Sequence, residues 1–303
     1  MYRNNLALYT SYGGDFPKGE REAREVQKLN PNYAKGFIAL AFGQLGQNQI
    51  PQALETYKGL EKVNPSYAAS GFADLAIYEG RFAEAVRILE KAANADVAAK
   101  SLDRAADKFA ALAGVELQRG QKVAAKAAAS HALENSRSVS IRFLAARIFA
   151  LTGEAEKARS LAAELAAEVP VEPQAYAKLI QGNLALENGD APAAVTLFNQ
   201  AKPLFDTWIG RFDLGRAYLA ASAFVEADSE FDQCVKRRGE AMSLFLDEIP
   251  TYGYFPPVYF YKGRVQEELK NAAAAESFRT YLNIRGKARE DPLLADVRKR
   301  AGQ

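Results

Sequence analysis

The sequence predicts an all-α solenoid: about eight antiparallel helix pairs wound into a right-handed superhelix, finished by a C-terminal capping helix. Three observations carry that expectation. Helix formers run through all 303 residues, with Ala, Leu, Glu, Lys and Arg prominent and β-branched clusters scarce. Leu29-Asn30-Pro31 and Val63-Asn64-Pro65 end two helical stretches alike, with the prolines 34 residues apart. A turn residue, an apolar residue and an alanine then recur in phase along the chain, the mark of a repeated unit.

Pro31 and Pro65 close the first two units, because proline lacks an N–H and clashes with the preceding turn. The recurring turn reads Gly14-Asp15-Phe16, Asn48-Gln49-Ile50 with Ala53, and Gly80-Arg81-Phe82 with Ala85. It continues at Gly120 with Ala125, Gly153 with Ala158, Gly189-Asp190 with Ala194, and Phe224 with Ala227. From Ala53 to Ala227 the alanines are spaced 32, 40, 33, 36 and 33 residues apart. Glycine lets a helix end in a left-handed cap, and alanine lets the next helix approach it closely. Small residues also mark the crossing point of each first helix, most clearly Ala146, Gly182, Gly215 and Gly263.

These marks predict one repeat domain over 1–303, with repeats at 1–31, 32–65, 66–96, 97–136, 137–170, 171–204, 205–247 and 256–285 and a cap at 286–303. The 40-residue interval implies a first helix near 95–120 that is longer by about two turns. The 48 residues from Ala227 to Ala275 hold an insertion at 236–257, running from Arg237-Arg238-Gly239-Glu240 through Leu244-Phe245-Leu246 to Pro250-Thr251-Tyr252-Gly253-Tyr254-Phe255-Pro256-Pro257.

With the 34-residue period, Leu214-Gly215-Arg216-Ala217-Tyr218 followed by Ala227, Phe231 and Cys234 resembles the tetratricopeptide repeat family. That family has Leu-Gly-x-x-Tyr followed by alanine, an aromatic and alanine. The resemblance implies a protein-interaction scaffold. A narrower likeness lies in the run from Cys234-Val235-Lys236 to Ala241, in Pro250-Thr251-Tyr252, in Phe255-Pro256-Pro257 and in Tyr261-Lys262-Gly263-Arg264. With Asn5-Leu6-Ala7-Leu8-Tyr9 and the run Ala73 to Phe82, it is similar to the C-terminal repeat region of some bacterial serine/threonine protein kinases. This implies the regulatory or docking part of a larger bacterial signalling protein, and the opening inside a helix fits a piece of such a protein. The kinase's own machinery is not in the sequence: no Gly-rich phosphate loop, His-Arg-Asp or Asp-Phe-Gly.

Composition narrows the function classes. The net charge of +2, from 39 basic and 37 acidic residues, argues against a nucleic-acid binder. No apolar run reaches the ~18 residues of a membrane span and no secretory h-region opens the chain, so a cytoplasmic location is expected. With Cys234 and His131 each alone, no disulfide framework, histidine triad, metal site or cofactor is expected. Gly13-Gly14-Asp15-Phe16 is similar to the diguanylate cyclase turn but lacks an acidic residue, and the repeat turn already explains it. Cys234 falls at the small inward position of its repeat, where a buried inert thiol is expected. No carboxylate pair stands isolated in apolar surroundings, so an enzyme is not expected.

First helices line the concave side of such a solenoid, the usual binding surface. The residue after each crossing point gives Arg147, Asn183, Arg216 and Arg264; one turn earlier stand Phe143, Leu179, Phe212 and Phe260. Arg147, Asn183, Arg216, Arg264, Phe143, Phe212 and Phe260 therefore form the expected groove for a protein or peptide partner of acidic character. The alternative is that these arginines pair with neighbouring acids such as Asp213 or Glu267. In the N-terminal half the same positions read Leu8, Phe42, Asp74 and Gly114, without basic groups. The Lys/Asn clamp of the family's chaperone-binding members is not evident. Two other functions stay open: a stand-alone module that forms homo-oligomers, and an enzyme or ligand-binding protein with a pocket at the insertion.

Overall fold

The computed structural model describes residues 2–245 and 251–302. Among them are seventeen α-helices, two short 3-10 turns and no strand. The helices are α1 (Tyr2–Tyr12), α2 (Phe16–Leu29), α3 (Ala34–Gly46), α4 (Ile50–Val63), α5 (Pro65–Tyr78), α6 (Phe82–Ala98), α7 (Leu102–Gln118), α8 (Lys122–Asn135) and α9 (Val139–Leu151). They continue with α10 (Ala155–Ala166), α11 (Val171–Glu187), α12 (Ala191–Ala201), α13 (Trp208–Ala220), α14 (Phe224–Lys236), α15 (Pro257–Glu268), α16 (Ala274–Arg285) and α17 (Leu294–Arg300). The 3-10 turns are Glu240–Met242 and Tyr252–Tyr254. Each helix packs on its neighbours in sequence, giving eight hairpins and a terminal helix, the fold class the sequence predicts.

Local chemistry sets the ends. Asp15, Asn64, Ser138, Asp190 and Thr207 cap helices by accepting a backbone N–H from three residues on. Within the hairpins, first helices end on a left-handed residue: Gly14, Gly80, Gly120, Gly153 and Gly189, and also Asn48, Ser222 and Lys270. The last two adopt φ of 58° and 54° with a Cβ present, at a cost of about 1–2 kcal/mol that glycine would avoid. The marker alanines Ala53, Ala85, Ala125, Ala158, Ala194 and Ala227 are all fully buried. In the last hairpin Ala274, not Ala275, takes that place, because Phe278 holds the register of Phe231.

Two expectations change. The extra length near 95–120 is shared by α6 and α7, each 17 residues long, rather than belonging to one first helix. Across that junction Lys108 bonds Asp96 at 2.6 Å and Ser66 at 2.9 Å, tying α5, α6 and α7 with a buried ion pair. The last helix of the repeat expected at 205–247 ends at Lys236, where the expected insertion begins; residues 246–250, including Leu246 and Pro250 of that insertion, lie outside the described residues.

The chain also closes on itself. The segment after α14 crosses the concave face and meets α1 and α5, and the loop after α16 returns to α5 and α7. Arg285, fully buried, donates to the carbonyls of Ile77, Tyr78 and Gly253 and to Gln118 Oε1. Leu294 and Val297 of α17 then cover the last hairpin.

Candidate functional site

The concave face is largely filled by the chain's own residues 238–245 and 251–256. Arg238 donates to the Gly46 carbonyl at 2.7 Å and lies over the Phe16 ring. Gly239 sits where any Cβ would collide with the carbonyl oxygens of Ser11 and Tyr12. Tyr252 stacks on Tyr78 with centroids 4.8 Å apart, and the Tyr254 hydroxyl lies in the space left by Gly114. Asp74 accepts the Gly253 N–H at 2.8 Å, while its second oxygen is buried without a partner. Burial pushes the Asp74 carboxyl up to about 7, partly opposed by the amides of Gly253 and Tyr252. Leu8, Phe42, Asp74 and Gly114, the concave positions without basic groups, thus lie on the half of the face that this segment covers.

Further along, three of the expected groove residues converge on one carboxylate. Asp213 of α13 is fully buried and takes Arg147 of α9 through both oxygens, one at 2.7 Å. Asn183 of α11 donates to it at 2.9 Å, and Arg216 adds a longer bond at 3.3 Å. Burial opposes the ionised form, but Arg147, Arg216 and Asn183 outweigh it and hold Asp213 below the usual carboxylate range. The row of exposed guanidinium groups expected from the sequence is therefore not what forms. Arg147 is buried against Asp213, whereas Arg216 keeps donors directed elsewhere.

The aromatic positions divide similarly. Phe143 stacks on Tyr176 at 4.3 Å and meets Phe245 of the insertion. Phe212 lies between the stacked Trp208 and the edge-on Tyr261. Phe260 belongs to the core under α17, with the Arg264 guanidinium 5.9 Å from its centroid. Arg264 is half-buried with its Nε unpartnered, while Glu267 pairs with Arg300.

Between these groups the concave face keeps a partly open cavity of about 390 Å³. Its walls come from α7 (Leu117), α9 (Leu144, Arg147, Ile148, Leu151), α11 (Glu187) and α13 (Phe212, Arg216). Ala110, Gly114, Gln118, Lys122, Tyr254, Pro257, Tyr261, Arg285 and the segment Asp291–Leu293 also line it. Arg147, Arg216 and Phe212 of the expected groove line it; Asn183, Phe143, Phe260 and Arg264 do not. Glu187 and Tyr261 were missed, and so was Tyr254. The first two stand on first helices facing the groove, but nothing local marks them.

Neither Cys234 nor His131 lines the cavity. Cys234 is buried, its thiol raised well above the ordinary value by burial, and its carbonyl accepts Trp208 Nε1 at 2.9 Å. His131 is exposed on α8, 2.9 Å from Glu134. Among the described residues no group of three or more His, Cys, Asp or Glu is placed to hold a metal ion, and no helix is long and apolar enough to cross a membrane.

No protein-family model and no curated protein matches the sequence. Solved structures of low identity do match. The chain is similar to a tetratricopeptide repeat protein from Parabacteroides merdae ATCC 43184, at 13% identity over the whole of both chains with a TM-score of 0.44. It is similar to a chain of the APC/C hetero-tetramer Cut9-Hcn1 at 13% identity and a TM-score of 0.44, over 98% of this chain and 48% of that one. The present chain thus spans about half the length of that relative. The TPR2AB domain of yeast Sti1, in its complex with pHSP90, is similar at 15% identity over 89% and 98% of the two chains, with a TM-score of 0.36.

Proposed function

We propose that this chain is a non-catalytic scaffold that docks a segment of another protein on the open part of its concave face. The observation that carries the reading is the 390 Å³ cavity, whose surface is mainly apolar, with Arg216 at its side: among the described residues its Nε and Nη2 make no hydrogen bond, and Glu187 stays 3.8 Å away. Pockets of this size and composition suit a ligand group of a few side chains. The basic character of Arg216 and Arg264 favours an acidic partner. Of the expected groove, Arg216 and Phe212 act directly, and Arg147 and Asn183 act by holding Asp213 in place. Phe143, Phe260 and Arg264 lie off the cavity and would contact only a partner extending beyond it. The finer assignment, to the docking part of a bacterial kinase in the cytoplasm, rests on the sequence likeness around 234–264.

A display selection of random dodecapeptides against the chain tests the scaffold reading. Enriched peptides are expected to lose binding to Leu151→Trp and Leu117→Trp, which fill the cavity from partly exposed positions. Peptides that bind these folded variants as well as the parent would remove the cavity from the reading.

A second reading, self-association, has its own support. Tyr2, Leu6 and Tyr9 form an exposed stripe on α1, and in α3 the equivalent Gly36, Leu40 and Gly43 are buried. Gly36 and Gly43 there meet α2 of the preceding hairpin. Light scattering separates the two: a dimer that Leu6→Glu dissociates would place assembly at this end.

A further inference from the structure

We infer that the cavity is a socket for one bulky apolar side chain of a partner protein, recognised together with an adjacent Asp or Glu side chain that takes the place of Glu187 on Arg216. This rests on the scaffold reading and specifies what the scaffold recognises.

The first argument is steric. Residues 238–245 and 251–256 occupy the concave face over α1, α5 and α7, and Tyr254, Pro257 and Leu293 wall the cavity. A partner chain therefore cannot run the length of the groove, and what enters is a projecting group. Ile148, Leu151, Phe212 and Tyr261 offer that group apolar and aromatic surface.

The second argument is electrostatic. Asp213 is already satisfied by Arg147 through both oxygens and by Asn183 at 2.9 Å. Arg216 therefore contributes to it only one 3.3 Å bond. Its other neighbour, Glu187, stops 3.8 Å away, beyond hydrogen-bond distance. Among the described residues, Nε and Nη2 of Arg216 have no hydrogen-bond partner, although its side chain is only 17% exposed. Such a guanidinium has a planar fork to offer a carboxylate, and the low exposure strengthens the bond it would make. Glu187, with a side chain 39% exposed, loses little on turning to water. It stands where the partner's carboxylate would bind.

Capped dipeptide amides titrated into the intact chain, followed by protein-observed NMR, test the assignment. Ac-Glu-Phe-NH2 should bind at least about tenfold more tightly than Ac-Gln-Phe-NH2, the lower end of the usual range for a charge-assisted hydrogen bond, and several-fold more tightly than Ac-Glu-Ala-NH2. Glu187→Gln, a partly exposed change that leaves the core intact, should tighten Ac-Glu-Phe-NH2 several-fold. Arg216→Gln should erase the preference for Glu over Gln while keeping that for Phe over Ala. Equal binding of the Glu and Gln peptides, no gain in Glu187→Gln, or no saturable binding by about 10 mM would each overturn the inference. Tighter binding of Ac-Gln-Phe-OH would move the carboxylate to a chain end and overturn the side-chain assignment. If selected dodecapeptides use the cavity without an acidic residue, the scaffold reading survives and this one falls.

Discussion

Replacing Asp213 by asparagine keeps the volume of the side chain and removes the one carboxylate that joins α9, α11 and α13. Two guanidinium groups are then left without it, Arg147 buried and Arg216 largely so. Removing one partner of a buried ion pair costs about 3–5 kcal/mol, most of it the expense of stranding the other charge. The upper part of that range is expected here, because Arg147 binds through both oxygens and Asp213 is fully buried. Urea unfolding followed by far-UV circular dichroism would show a lower midpoint with the slope retained. Arg147→Met combined with Asp213→Leu should recover part of the loss, since the buried Arg147 charge is no longer stranded, while Arg216 and Asn183 still lose their bonds to Asp213. The reasoning fails if Asp213→Asn costs under about 1 kcal/mol, or if the double variant is no better than the single. The pH dependence has a fixed sign. The folded carboxyl titrates below its unfolded value near 3.9, so its contribution is present above that pH and disappears as pH falls through the folded value.

Asp74 has the opposite sign: its folded value near 7 lies above the unfolded one, so the folded protein holds a proton the unfolded chain releases. Stability should fall by a few kcal/mol between about pH 4 and 7 and level off above, and Asp74→Asn should flatten that slope in urea midpoints. In Gly215→Leu the new Cβ would lie 2.8 Å from the Phe231 ring; a loss of about 1–3 kcal/mol is expected, and an unchanged thermal midpoint would contradict the tight crossing. Arg285→Met removes the donors to Ile77, Tyr78 and Gly253 and takes the paired cation from the buried Asp291, which keeps the Tyr281 hydroxyl and the Leu293 N–H. Hydrogen exchange should then quicken in α16 and around residues 251–254 together, and protection retained in both would argue against the closure.

What was legible in the sequence is what local chemistry dictates. Pro31 and Pro65, the turn glycines and the buried alanines act within a few residues of where they stand, so their spacing revealed the hairpins. The site depended on pairs far apart in sequence. Arg147 and Asp213 are 66 residues apart, Gly253 and Asp74 179, and Arg285 and Ile77 208. A helical register places such residues on the concave face but does not say which meet across it. Asp74 and Gly114 carried a usable signal: a lone acid and a missing side chain on the groove face mark where something else docks. Gly239 and Gly253 carried its counterpart within the insertion.

The closure by Arg285 gives the chain an order of events during synthesis. A linear repeat array can settle hairpin by hairpin as it leaves the ribosome, each new unit covering the last. Here the inner face of α1 to α7 emerges early, while the residues that cover it, 238–245, 251–256 and Arg285, are made more than a hundred positions later. Until then Tyr78, Ile77 and the buried carboxyl of Asp74 line an unfilled surface. The nascent N-terminal half is thus the species most exposed to misassembly, and the one a ribosome-associated chaperone would have reason to hold.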